Sequence, residues 1–79
     1  MELVSMYRSI EALRDRLQEE SDILCLKAEH IEECAEHRGI GLTVPENMYI
    51  KALKDREDRY DEAITHLTRA LTVLDRIDV

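Results

Sequence analysis

Apolar residues recur along the chain at spacings of three and four, in two blocks separated by a stretch that holds both glycines and the one proline. In the first block Leu3, Ile10, Leu17, Leu24 and Ile31 occupy one position of a seven-residue repeat. Met6, Leu13 and Cys34 stand three residues further on, at a companion position that Glu20 and Lys27 interrupt. In the second block Ile50, Ile64 and Leu71 alternate with Leu53, Tyr60, Leu67 and Leu74, and Glu57 is the interruption. An apolar repeat of seven keeps one stripe of a helix turned toward a neighbouring helix. Each block therefore predicts an amphipathic helix of about 33 to 37 residues, about 50 Å long.

The dividing stretch, RGIGLTVPE, carries a stop and a start. Gly39 can take the left-handed conformation that closes a helix, with Ile40 folding back on the last turn as in a Schellman cap. Thr43, Val44, Pro45 and Glu46 match the capping box, in which a Thr hydroxyl and a Glu carboxylate satisfy each other's backbone donors, and Pro is tolerated in the first turn. These signals place helix 1 at about 2–38, the turn at 39–43 and helix 2 at about 44–78, all in one domain spanning 1–79.

Two helices of near-equal length joined by so short a loop fold back on each other. The expected class is all-α, an antiparallel two-helix hairpin with coiled-coil character. With the turn centred near residue 42, positions whose numbers sum to about 84 face each other, so Lys27 is expected to meet Glu57 as an interhelical ion pair. Such a pair contributes about 0.2 to 1 kcal/mol when partly exposed, and its main use is to fix register.

One segment of helix 1, DILCLKA at 22–28, is apolar nearly all round its axis, with Asp22 and Lys27 as the exceptions. A two-helix seam covers one side only, which leaves Ile23 and Leu26 on helix 1, and Met48, Tyr49, Val73 and Ile77 on helix 2, with no cover inside the hairpin. Ile23, Leu26, Met48 and Tyr49 are the candidate partner-binding residues. The partner is either a second copy, giving a four-helix bundle, or a different protein. The length of 79 residues favours such help, because chains of this size bury a small fraction of their unfolded surface.

Charge narrows the choice of partner. The formal net charge of -7 repels phosphate backbones and anionic lipid, so neither nucleic acid nor a membrane is expected as partner. No window approaches the run of about 18 apolar residues that spans a bilayer, and MELVSMYRS lacks a basic region followed by an apolar run, so a cytoplasmic location is expected. Mixed-sign runs such as KDREDRYDE at 54–62 fit a solvated helix face laced with weak ion pairs.

Candidate chemistry is sparse. Cys25 and Cys34 lie nine residues apart in one helix, about 13 Å along its axis, too far for a disulfide, and read as free buried thiols in a reducing compartment. His30, Cys34 and His37 share one helix face at a spacing zinc can use. No second cluster backs them, and packing beside the seam explains all three, so no metal or other cofactor is expected. His66 falls far from this trio. Neither a nucleophile elbow, a phosphate loop nor a carboxylate-lined cleft is visible, and an enzyme is not expected.

The segment VPENMYIKALKDREDRYDEAITHL resembles the second helix of the small co-chaperones of bacterial type III secretion needle subunits. Pro45, Glu46, Asn47, Met48 and Tyr49 correspond to its opening, and Ala63, Ile64 and Leu67 to its later core. The resemblance implies a hairpin that packs against a helical TPR-like chaperone and, with it, keeps the needle subunit from polymerising in the cytoplasm. Helix 1 departs from that pattern in its greater length, its two cysteines and its two histidines, and the turn is also longer. The alternative is a structural or regulatory homodimer, two hairpins in an acidic four-helix bundle.

Overall fold

The structure is a computed structural model and describes residues 2–77. It consists of two α-helices, α1 (Leu3–Arg38) and α2 (Val44–Ile77), folded into an antiparallel hairpin with no strand among the described residues. The expected end of helix 2 at 78 lies outside the described residues. The hairpin measures 57 × 17 × 15 Å, and its radius of gyration is 17.7 Å. A compact chain of this length would have a radius of about 12 Å. The molecule is therefore a rod one helix thick, and no side chain lies deeper than a single seam.

The turn forms largely as its residues dictate. Gly39 takes φ 69°, the left-handed region where a Cβ would be strained, and its N–H donates to the Glu36 carbonyl at 3.1 Å. The capping box closes as expected: the Glu46 N–H donates to Thr43 Oγ1 at 3.2 Å, and the Thr43 N–H donates to Glu46 Oε1 at 3.0 Å. Arg38, the last residue of α1, donates to both oxygens of Glu46 at 2.7 and 3.2 Å, clamping the end of one helix to the start of the next. Ile40 does not fold back as expected and is 70% exposed. Leu42 takes that role instead, packing under the turn against the core.

The core clusters in the half of the rod nearest the turn, where Leu24, Ala28, Ile50 and Leu53 are buried and Ile31, Leu42 and Tyr60 pack against them. Along α2 the seam runs through Ile50, Leu53, Glu57, Tyr60, Ile64, Leu67, Leu71 and Leu74, all buried or half-buried at the expected spacing. Along α1 one seam position is as expected, Leu3 through Ile31, but the other is not. The companions are Tyr7, Arg14, Ser21, Ala28 and Ala35, four residues after each leucine or isoleucine, while Met6, Leu13, Glu20, Lys27 and Cys34 are all exposed.

The reason is physical. Both companion sets continue the same stripe, but one would bring Glu20 and Lys27 into the contact, where an unpaired charge is expensive. The other offers Ser21, Ala28 and Ala35, small enough for the backbones to approach closely, and these are buried. Arg14 is the one charge at these companion positions, half-buried, and its guanidinium turns back to Asp15 at 3.1 Å.

The shift removes the expected ion pair. Lys27 is exposed beside the seam and Glu57 is half-buried within it, and no ion pair joins them. Away from the Arg38–Glu46 clamp at the turn, the polar links that do cross between the helices are Ser21 Oγ donating to Asp61 Oδ1 at 3.0 Å and Lys54 Nζ beside Glu32 Oε1 at 3.5 Å. Both pairs have residue numbers summing to within two of the expected 84, so the vertical register stands while the rotation of α1 differs by one position.

Candidate protein-interaction face

Once the seam positions are known, every remaining side chain can be assigned a side of the rod. The two polar links lie on one side. There Cys25, Glu29 and Glu32 of α1 line a shallow groove with Lys54 and Asp58 of α2. Glu11, Glu36 and Asp75 fall on the same side, lining the shallow concavities toward either end of the rod. This side is acidic.

The opposite side differs. Its groove is lined by Leu17 of α1 and by Arg56, Arg59, Tyr60 and Ala63 of α2. The flank of α1 that borders it holds Met6, Leu13, Glu20, Lys27 and Cys34, with Arg16, Ile23 and His30 on the shoulder, by the same heptad spacing. The flank of α2 holds Tyr49, Arg56, Ala63, Ala70 and Ile77, with Ala52, Arg59 and Val73 on its shoulder. Met6, Leu13, Ile23, Tyr49, Val73 and Ile77 are all exposed there. Six large apolar side chains on one side of a rod this narrow form a face, whereas scattered single ones would need no explanation.

The four residues expected to bind a partner are all exposed: Ile23 46%, Leu26 63%, Met48 68% and Tyr49 52%. The structure brings Ile23 and Tyr49 to this apolar face. Leu26 sits one turn from Ile23 on the outer edge of α1, so the two make a ridge over its shoulder. Met48 projects from the outer edge of α2, on the far side of the rod from Leu26. Sequence reasoning missed Met6 and Leu13, which it assigned to the seam, and it missed Arg56 and Arg59, read as part of a solvated mixed-charge run. The signal for the two arginines was their three-residue spacing beside Tyr60 and Ala63, visible once the rotation of α1 places Leu17 opposite them.

The metal candidates do not assemble. Cys34 Sγ and His30 Nε2 lie 3.7 Å apart along the helix, and no group of three or more His, Cys, Asp or Glu among the described residues is arranged to hold an ion. Cys34 is exposed rather than buried, a consequence of the same rotation. Cys25 is half-buried on the acidic side, where its thiol donates to Glu29 Oε1 at 3.5 Å. That bond to a carboxylate, helped by burial, raises the thiol above its ordinary value.

The rod shape leaves a large surface open. The accessible area is 6157 Å², against about 4,900 Å² for a compact monomer of the same mass. Among the described residues no helix is long and apolar enough to cross a membrane. No family model, curated protein or solved structure matches the chain, so its functional reading stands on the geometry of this face and on the resemblance of its second helix.

Proposed function

We propose that the hairpin is a small cytoplasmic protein-binding module whose work is to cover and be covered by another helical protein. The observation that carries this reading is the face around Met6, Leu13, Ile23 and Tyr49, which the hairpin's own seam cannot reach and which would be wasteful on a free-standing rod. Binding suits the form better than catalysis, since a two-helix layer offers shallow grooves in place of a cleft that excludes water.

The resemblance of residues 44–67 gives the reading its specific content. The chain acts as a co-chaperone of type III secretion, packing on a TPR-like chaperone so that the chaperone holds the needle subunit unpolymerised. Ile23, Leu26 and Tyr49 are the contact residues nearest the middle and the turn end of the face, and Met48 extends the contact over the outer edge of α2.

Co-expression of the chain with such a chaperone and its needle subunit tests this. The chaperone is expected to stay soluble and to co-purify with the chain, and the double variant Ile23→Asp/Tyr49→Asp is expected to lose co-purification while keeping its helical circular dichroism. A chaperone equally soluble without the chain, or a double variant that binds as the wild type does, would refute the reading.

A further inference from the structure

The face has a charge of its own. The chain carries a formal net charge of -7, yet the middle of this side presents Arg16, Lys27, Arg56 and Arg59 around a single carboxylate, Glu20. Acids are denser on the opposite side, among them Glu29, Glu32, Asp58 and Asp61, while Glu19, Glu33, Asp55 and Glu62 stand on the outer edges of the two helices. Arg56 and Arg59 stand over the apolar floor formed by Leu17, Tyr60 and Ala63, and neither makes an ion pair or a hydrogen bond among the described residues. The large apolar side chains lie mostly toward the ends: Met6, Leu13, Val73 and Ile77 near the open end of the hairpin, and Tyr49 near the turn.

We propose that this side is shaped for one amphipathic helix of another protein, whose apolar stripe is interrupted at its middle by carboxylates. The proposal rests on the reading of the chain as a protein-binding module and names the chemistry of its partner. The span fixes the partner's length. Leu13 and Tyr49 lie about 20 residue steps apart along the rod in the observed register, about 30 Å, which a helix of about 20 residues covers. The four cations occupy about 16 Å in the middle of that span, three turns of helix. A carboxylate reaching Arg56 or Arg59 from above the groove would make charge-assisted hydrogen bonds as the floor beneath it is covered.

Other occupants fit less well. A second copy docked face to face about a two-fold axis brings the middle of one rod against the middle of the other. Arg56, Arg59 and Lys27 would then meet their own counterparts in a drying contact, where like charges repel strongly. The acidic side of another copy supplies the right charge but no apolar stripe to fill the groove, and that contact would not close on itself. An anionic membrane would accept the cations but not a concave surface backed by an acidic one.

Two helical peptides of about 20 residues test the proposal, identical in their apolar stripe and differing in whether the stripe's middle carries Glu or Lys. The full chain at low salt is expected to bind the Glu peptide about tenfold more tightly or better, with the preference shrinking as salt rises. In Arg56→Glu/Arg59→Glu the preference is expected to reverse with the helical circular dichroism unchanged, since both side chains are exposed. Equal binding of the two peptides, or an unchanged preference in the variant, overturns the proposal and leaves the binding-module reading intact. Binding of neither peptide overturns both. Capture of the chain by phosphatidylserine vesicles in place of the peptides overturns the proposal in favour of a membrane, and dimerisation of the free chain through this side overturns it in favour of a second copy.

Discussion

The rotation of α1 rests on a contact that a double-mutant cycle can weigh. Ser21 is 4% exposed, and its hydroxyl donates to Asp61 Oδ1 at 3.0 Å across the seam. A hydrogen bond to a charged acceptor is worth about 1.5 to 3 kcal/mol when buried. Asp61 is exposed, so solvent screening lowers that to about 1 kcal/mol. Ser21→Ala and Asp61→Ala should each lose about this amount, and the double variant should lose little more than either alone, giving a coupling of about 1 kcal/mol. For a chain of this length the unfolding entropy is about 0.17 kcal/mol per degree, so each single variant should melt about 6 °C lower. Thermal melts followed by circular dichroism, with urea titrations at one temperature, measure the cycle. The parallel cycle on Lys27→Ala and Glu57→Ala should show no coupling beyond the error of about 0.3 kcal/mol. If the Ser21 cycle shows none and the Lys27 cycle does, the seam runs through Lys27 and the apolar face described above does not exist.

Leu53→Ala should cost about 2 to 5 kcal/mol in urea unfolding, because Leu53 sits in the one dense part of the seam, whereas Leu26→Asp should change stability by less than about 0.5 kcal/mol and act on association alone. Gly39→Ala should cost about 1 kcal/mol at its left-handed φ of 69°, while Gly41→Ala, with open space around it and no positive φ, should leave stability unchanged or slightly raised; equal effects would refute the cap. The Arg38 guanidinium, with the Thr43 N–H second, lowers the Glu46 carboxyl to about 2. A carboxyl with a depressed folded value contributes stability above its unfolded value, about 4.3, and loses it as pH falls toward 2. The stability gap between wild type and Glu46→Gln should therefore be full at neutral pH and close between about pH 5 and pH 2; a gap independent of pH would contradict the clamp.

Much of the fold was legible because local signals agreed with one another. The capping box at Thr43 and Glu46 and the stop at Gly39 need no tertiary context, and α2 had only one apolar seam to choose. Helix α1 had two. Leu3, Ile10, Leu17, Leu24 and Ile31 pair equally well in pattern with Met6, Leu13 and Cys34 or with Ser21, Ala28 and Ala35. Apolarity favours the first set and steric fit the second. Counting hydrophobic residues cannot register that Ala28 and Ala35 let two backbones approach, nor that Glu20 and Lys27 must stay wet. The candidate site inherited that choice. Ile23, Leu26, Met48 and Tyr49 were found from surplus apolarity alone, but Leu13 and Met6 were hidden inside a wrong seam, and Arg56 and Arg59 acquire meaning only opposite Leu17.

Sedimentation equilibrium on the purified full chain most directly tests whether the apolar, cationic face awaits a different protein. A hairpin whose face repels its own copy should sediment at the mass of one chain, 9.2 kDa, at micromolar concentration, and should gain mass and helical signal when its helical partner is added. A stable dimer of the chain alone at the same concentration, with Ile23 and Tyr49 protected in it, would contradict this and make the protein a self-sufficient four-helix bundle.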